Sequence, residues 1–246
     1  MSYQLDNSIH LIMQSKGGVG KSVVSSLMSQ YLLKNVDGVS LIDIDPNNKT
    51  LASYKNLNVE QIDIIKDDEN IVDQSKFDGF LQKFLESEGG TFLVDTGSGE
   101  FLPLNNYLSL MDIPSVIQDY DKNIYIHVPI TYGQAEEDTK KCLVKLTESY
   151  PNTPIVVWEN EYFGKPTTDF ASTKAYKAIE NIIGVVKINK LNADTFEKDF
   201  KTMLKSGLTF DDVKTDDKFF ELFSKMRLSK IEKDIDSKLD IIFKPE

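Results

Sequence analysis

Near the start of the chain an apolar run, IHLIM at 9–13, leads into a glycine-rich turn, QSKGGVG at 14–20. A helix-length stretch, KSVVSSLMSQYLLKN at 21–35, follows at once. That succession constrains the fold more than any other part of the sequence. A short apolar run bounded by turn signals reads as a strand buried on both faces. The glycines let the backbone turn sharply, so that its N–H groups converge on one point. A helix beginning at the end of such a turn adds the positive end of its dipole, which makes the loop an anion site. Strand, loop and helix are also the first half of a parallel crossover unit.

The same grammar continues along the chain. VSLIDID (39–45), GGTFLVD (89–95), NIYIHVPI (123–130), TPIVVWEN (153–160) and IIGVVKI (182–188) read as further strands. SKFDGFLQKFLE (75–86) places Phe77, Phe80, Leu81, Phe84 and Leu85 at helical spacing, with Ser75 and Asp78 expected as its capping pair. Helices are expected near 134–149 and 168–181. Phe196, Phe200, Met203 and Leu204 share one helical face that Gly207 closes, and a second long helix is expected over about 216–240. The alternation predicts an α/β fold: a single-domain doubly wound, mostly parallel β-sheet flanked by helices, spanning 1–246, with a C-terminal helical portion from about 192.

Composition narrows the function classes. Charged residues make up 27% of the 246 and hydrophobic ones 40%, which suits a soluble globular domain. The only cysteine, Cys142, excludes an internal disulfide, and the first ten residues carry neither a basic patch nor an apolar run; a cytoplasmic protein without a secretory signal is expected. No apolar stretch reaches the roughly 18 residues of a membrane helix. The net charge of −11 and the single arginine, Arg227, argue against strong DNA binding.

The glycine turn departs from the usual phosphate-loop pattern G-x-x-x-x-G-K-[S/T]. Gly20, Lys21 and Ser22 supply its second half, but Ser15 stands where the first glycine belongs, and Lys16 adds a second cation. Gly17, Gly18 and Gly20 allow close backbone approach to phosphates, Lys21 reaches the β- and γ-phosphates, and the Ser22 hydroxyl is a ligand for Mg²⁺. Asp43 and Asp95, each at the end of an apolar strand, are expected to hold Mg²⁺ directly or through its waters.

KGGVGKS resembles the deviant Walker A motif of the ParA/MinD family of P-loop ATPases, and three further motifs follow in that family's order. IDIDP supplies Asp43, Asp45 and Pro46; VDTG supplies Asp95 and Gly97; VVWEN supplies Asn160. The resemblance implies that Gly17 to Val23 cradle ATP with Lys16, and that Asp45 orients or activates the attacking water. It implies that Asn160 and the backbone near Leu191 contact the adenine, and that Lys16 reaches across a homodimer to the partner's nucleotide. NKLN (189–192) nearly matches a guanine signature, but Asn192 offers one carbonyl acceptor where guanine presents two donors, so adenine is favoured. Over its whole length the chain most resembles the TraL-type proteins of conjugal DNA transfer, through QSKGGVGKS, IDIDPNN, YKNLNV, VVWEN and DTFEKDF.

These likenesses imply a slow ATPase acting as an ATP-dependent dimeric switch with a protein partner in a plasmid transfer or partition apparatus. Lys16, Lys21 and Asp45 would be its catalytic residues. A plasmid-partition ATPase and a nucleotide-binding interaction module with little turnover are the alternatives. One cysteine is too few for an electron carrier of the nitrogenase-reductase type, and the absence of tyrosine after Tyr176 is unlike the tyrosine kinases of this superfamily. His10, His127, Cys142 and Trp158 are expected in the core. Residues 195–246 balance 11 basic against 12 acidic side chains, so the C-terminal helix is expected to dock on the domain or a partner and not to insert in a membrane.

Overall fold

The computed structural model describes residues 3–244 other than 47, 49, 67–70, 167, 169, 178 and 217. Among the described residues seven strands form one sheet: β1 (Ser8–Ile12), β2 (Val39–Asp43), β3 (Glu60–Gln61), β4 (Thr91–Asp95), β5 (Asn123–Thr131), β6 (Ile155–Asn160) and β7 (Ile182–Ile188). The spatial order is β3-β2-β4-β1-β5-β6-β7 and every pairing is parallel. From β1 the chain runs outward to β2 and β3, returns to β4, and then crosses to β5 on the other side. The carboxyl end of β1 therefore opens onto a crevice where ligands of doubly wound sheets lie.

The helices are α1 (Lys21–Asn35), α2 (Ser75–Glu86), α3 (Phe101–Leu110), α4 (Ile113–Asp119), α5 (Glu136–Ser149), α6 (Lys174–Lys177), α7 (Phe196–Lys205), α8 (Phe210–Thr215) and α9 (Leu222–Phe243). Alternate strand residues feed two cores. Ile9, Leu11, Val94, Ile126 and Val157 pack against α2 to α5 on one face. Ile12, Leu93, Tyr125 and Trp158 pack against α1 and α7 to α9 on the other. Helix α1 is enclosed between the sheet and α9 and is buried almost all round, which the small residues Ser25, Ser26 and Ser29 permit. Polar bonds fasten α9 to it: Tyr31 donates to Asp240 (2.8 Å), and Lys34 bonds Glu232 and Asp236.

His10 and His127 are core residues, as expected, and they are bonded in series. Trp158 Nε1–H donates to His127 Nδ1 (3.0 Å), His127 Nε2 meets His10 Nδ1 (2.9 Å), and His10 Nε2 meets Ser8 Oγ (2.9 Å). Because Trp158 can only donate, the direction of the chain is set: each neutral imidazole accepts on Nδ1 and donates from Nε2, and the Ser8 hydroxyl donates to the Leu5 carbonyl. Burial holds both imidazoles below their ordinary range, His127 at about 3.

Several boundaries differ from the sequence reading. β2 ends at Asp43, two residues early, because the Asp43 carboxylate accepts the N–H groups of Asp45 and Ala52 and folds the chain away from the sheet. Ser75 and Asp78 do not cap α2. The Asp73 carboxylate takes the Ser75 N–H and hydroxyl instead, and Asp78 takes the Tyr107 hydroxyl. The helices α3 and α4 were not expected; Pro103 and Pro114 each sit in a first turn, where no N–H is needed. The expected helix at 168–181 is reduced to α6 and a 3₁₀ turn at Phe170–Ser172, with 169 and 178 outside the described residues. The expected helix over 216–240 is α9, beginning six residues later. Before it α8 stands alone, with a Thr209–Asp212 capping box, and the Asp216 carboxylate turns the chain by accepting from Lys218 and Phe219. Gly207 (φ +62°) closes α7 as expected: Leu208 N–H reaches the Met203 carbonyl and Gly207 N–H that of Leu204.

Candidate functional site

The turn after β1 is pinned before it reaches its glycines. Gln14 is buried, and its amide donates to the carbonyls of Pro129 (2.7 Å) and Thr139 (3.3 Å), which ties the loop to β5 and α5. Gly18 and Gly20 adopt φ of +73° and +102°, in the left-handed region that side chains disfavour. At Gly20 a Cβ would also fall 2.6 Å from the Asn160 amide nitrogen. That amide donates to the Val19 carbonyl (3.0 Å), while its oxygen accepts the Tyr162 N–H (3.1 Å). Asn160 therefore latches the loop to the end of β6.

Beyond the loop lies a polar cleft lined by Gly17, Gly18, Gly20, Lys21, Ser22, Val23, Asp45, Asn48, Thr50 and Ser98. The structure thus brings together most of the predicted phosphate residues. Lys21 is buried and donates to the Lys16 carbonyl (3.1 Å). Burial lowers its pKa, opposed by the charges of Asp95, Asp45 and Glu100. Asp95 is fully buried behind the cleft. Its Oδ1 accepts from Ser25 (2.6 Å), whereas Oδ2 has no hydrogen bond of normal geometry. Burial pushes its pKa up to about 7; the Ser25 bond and the neighbouring Ser22 hydroxyl and Lys21 lower it, and Asp43 raises it. Asp43 is buried too, with both carboxylate oxygens on backbone N–H groups, and its pKa is raised by burial. Direct coordination by Asp43 would disturb those loop bonds.

Among the described residues no group of three or more His, Cys, Asp or Glu side chains forms a metal cage. A hydroxyl at the cleft with carboxylates behind it suits Mg²⁺, which retains waters and takes its other ligands from phosphates. The buried, bond-free Asp95 Oδ2 fits the same picture, since a metal-bound water would give it a donor.

A second, apolar cleft adjoins the first, lined by Gly18, Gly20, Val23, Asn160, Tyr162, Phe163, Ile188, Leu191, Phe200 and Leu204, with Glu197 and Lys201 at its polar side. Tyr162 and Phe163 meet edge to face at 4.7 Å, and Lys201 sits 4.7 Å from the Tyr162 ring centre. This shape suits a planar base. Asn192, at the guanine-signature position, is exposed and accepts from Asp194 N–H and Thr195 hydroxyl, so it shapes the turn before α7.

Lys16 is set apart from both clefts. Its ammonium pairs with Asp138 on α5 (2.8 Å), and both side chains are about half exposed. Sequence reasoning also missed several residues of the site. Glu100 is 3% exposed, its Oε2 has no bond, and burial raises its pKa. Gln14, Ser25, Ser98, Tyr162 and Phe163 complete the group. The run of buried serines in an otherwise apolar helix was the one available signal for Ser25.

A parallel sheet with this loop after its central strand, a buried lysine and paired polar and apolar clefts defines a nucleotide-binding domain of the P-loop class. The chain belongs to the CobQ/CobB/MinD/ParA nucleotide-binding domain family, whose model matches residues 10–233. It is similar to two proteins named TraL from Escherichia coli. One is 31% identical over 237 residues, covering 94% of this chain and 97% of the relative; the other is 33% identical over 213, covering 85% and 87%. Two solved structures share the fold at a TM-score of 0.52. The MinD cell division protein of Aquifex aeolicus is 17% identical, covering 92% of this chain and 95% of that one. A putative plasmid partition protein from Borrelia burgdorferi B31, bound to AMPPNP, is 18% identical, covering 96% and 99%.

Proposed function

We propose that this chain is a Mg²⁺-dependent, ATP-binding and ATP-hydrolysing dimeric switch that works with a protein partner in conjugal transfer of plasmid DNA. The observation that carries the nucleotide part is the polar cleft on the glycine loop, with Lys21 and Ser22 in its wall and the bond-free Asp95 Oδ2 behind it. The TraL relatives support the setting.

The roles follow from position. The loop N–H groups and Lys21 hold the phosphates, and the apolar cleft takes the adenine between Leu191 and the Tyr162–Phe163 wall. Ser22 and Asp95 would hold Mg²⁺, which when bound neutralises charge on the β- and γ-phosphates. Asp45, in the cleft wall, takes the proton of the attacking water. Lys16 points away from its own cleft, which suits a cation offered to the nucleotide of a second subunit, where it stabilises developing negative charge.

Calorimetry with ATP and Mg²⁺ tests the site. Affinity in the micromolar range, about −8 kcal/mol, is expected, and Lys21→Ala should abolish it; a variant that binds like wild type would show the assignment to be wrong. Light scattering with and without ATP tests the switch. Wild type and Asp45→Ala should dimerise with ATP, Asp45→Ala should stay dimeric, and Lys16→Ala should lose pairing or turnover while still binding. A strong gel shift with non-specific DNA and ATP would instead favour a partition-type ATPase.

A further inference from the structure

The outer face of α9's first two turns is apolar and uncovered. Phe219, Leu222, Phe223 and Met226 are 55, 68, 69 and 59% exposed, although Phe220, Leu228 and Ile231 nearby are buried in the core. The spacing of Leu222, Phe223 and Met226 keeps them adjacent on the helix surface. At roughly 200 Å² per large apolar side chain, the four present on the order of 500 Å², near the upper end of what ordinary monomers expose.

The rim of this patch is positive in an acidic protein. Lys218 and Lys230 are exposed beside it, Arg227 is held by Asp199, and Glu221 is the only acidic residue in 218–230, in a chain of net charge −11. The Asp216 carboxylate is turned onto backbone N–H groups. The 22-residue helix starts at the patch with Glu221 as its N-cap residue, without a side-chain cap bond and without an acidic residue in its first turn.

We propose that this patch docks an acidic amphipathic segment of a partner protein. Its apolar face would cover Phe219, Leu222, Phe223 and Met226, and its carboxylates would meet Lys218 and Lys230. Two lysines are too few for a bilayer to hold against the charge of the whole chain. A second copy of the same patch would bring like charges and like helix ends together. The helix that carries the patch is also bonded to the wall of the apolar cleft. Ser224 and Arg227 both bond Asp199 of α7 (3.1 and 2.6 Å), and Glu197, Phe200, Lys201 and Leu204 of that helix line the apolar cleft. The docking proposal does not depend on the nucleotide reading.

The test uses the full chain and a fluorescent amphipathic peptide of about 18 residues, with leucine on one face and glutamate on the other. The same peptide with lysine for glutamate is the control. Anisotropy should show the glutamate peptide binding about tenfold tighter than the lysine peptide. The triple variant Leu222→Ser/Phe223→Ser/Met226→Ser should weaken it about tenfold, and Lys218→Glu/Lys230→Glu several-fold, with unchanged thermal melts. Absence of binding, equal binding of both peptides, or full binding by the triple variant overturns the proposal. So does co-sedimentation with phosphatidylcholine vesicles holding roughly one-third phosphatidylglycerol, if the triple variant abolishes it, since lipid is then the occupant. Self-association of wild type that the triple variant abolishes overturns it in favour of a second copy.

Discussion

A Cβ at position 97 would fall 1.8 Å from Glu100 Oε2 and 2.8 Å from the Asp45 carboxyl carbon. Gly97 is thus the point across which two carboxylates approach each other beside the polar cleft. We expect Gly97→Ala to push both aside and to destabilise the fold by about 1–3 kcal/mol, read from denaturant melts; a variant as stable as wild type would contradict this packing. Asp95 carries a pH signature. Its native pKa of about 7 lies above that of an unfolded aspartate, near 3.9. Between about pH 4 and 7 the native state keeps a proton that the unfolded chain has lost, so this group makes stability fall as pH rises through that window. Asp95→Asn should gain on wild type in melting temperature between pH 5 and pH 8, and should bind Mg²⁺–ATP more weakly; a constant difference across pH would sink the argument. Lys21, Ser22 and Asp95 were legible because the glycine spacing and strand ends locate them in the sequence. Ser25, Ser98 and Glu100 were not, because their roles exist only once segments some 70 residues apart have met.

At the scale of elements, the loop and α5 are joined through Lys16 and Asp138. A half-exposed pair of this kind is worth about 1 kcal/mol or less. Asp138→Ala should therefore hardly alter the melting temperature, yet raise ATP-dependent dimerisation a few-fold by releasing Lys16. Light scattering across an ATP titration would measure this, and weaker dimerisation would contradict it. Helices with an unbroken apolar stripe, such as α1 and α2, were readable to the residue. Those with a proline in the first turn, α3 and α4, were hidden, because the residue that ends a helix when internal is tolerated there. Helix α8 was equally hidden: the expected helix began only at about 216, beyond it, and the Asp216 bonds that turn the chain before α9 leave no periodic mark in the sequence.

For the molecule as a whole, strand alternation implied a parallel sheet, but the strand order depends on which edges pair, and no local pattern records that. The histidine series is another whole-fold property, joining β1, β5 and β6. Its groups titrate in the opposite sense to Asp95. Below about pH 6.5 the unfolded chain gains protons that buried His10 and His127 refuse, so stability is lost as pH falls from there towards 3. His127→Gln, which can still accept from Trp158 and donate to His10, should show a smaller drop in melting temperature between pH 7 and pH 5; an equal drop would assign the acid sensitivity elsewhere.

The enclosure of α1 by α9 also bears on timing during synthesis. The helix that begins at Lys21 is made well before the wall that Tyr31 and Lys34 fasten to, which follows some 200 residues later. We expect nascent chains halted before residue 222 to remain with holdase chaperones and to fail to retain nucleotide, and chains extended past residue 243 to acquire both solubility and binding together. Competence would then arrive in one step, once α9 has been made, so that a chain lacking α9 would hold no nucleotide.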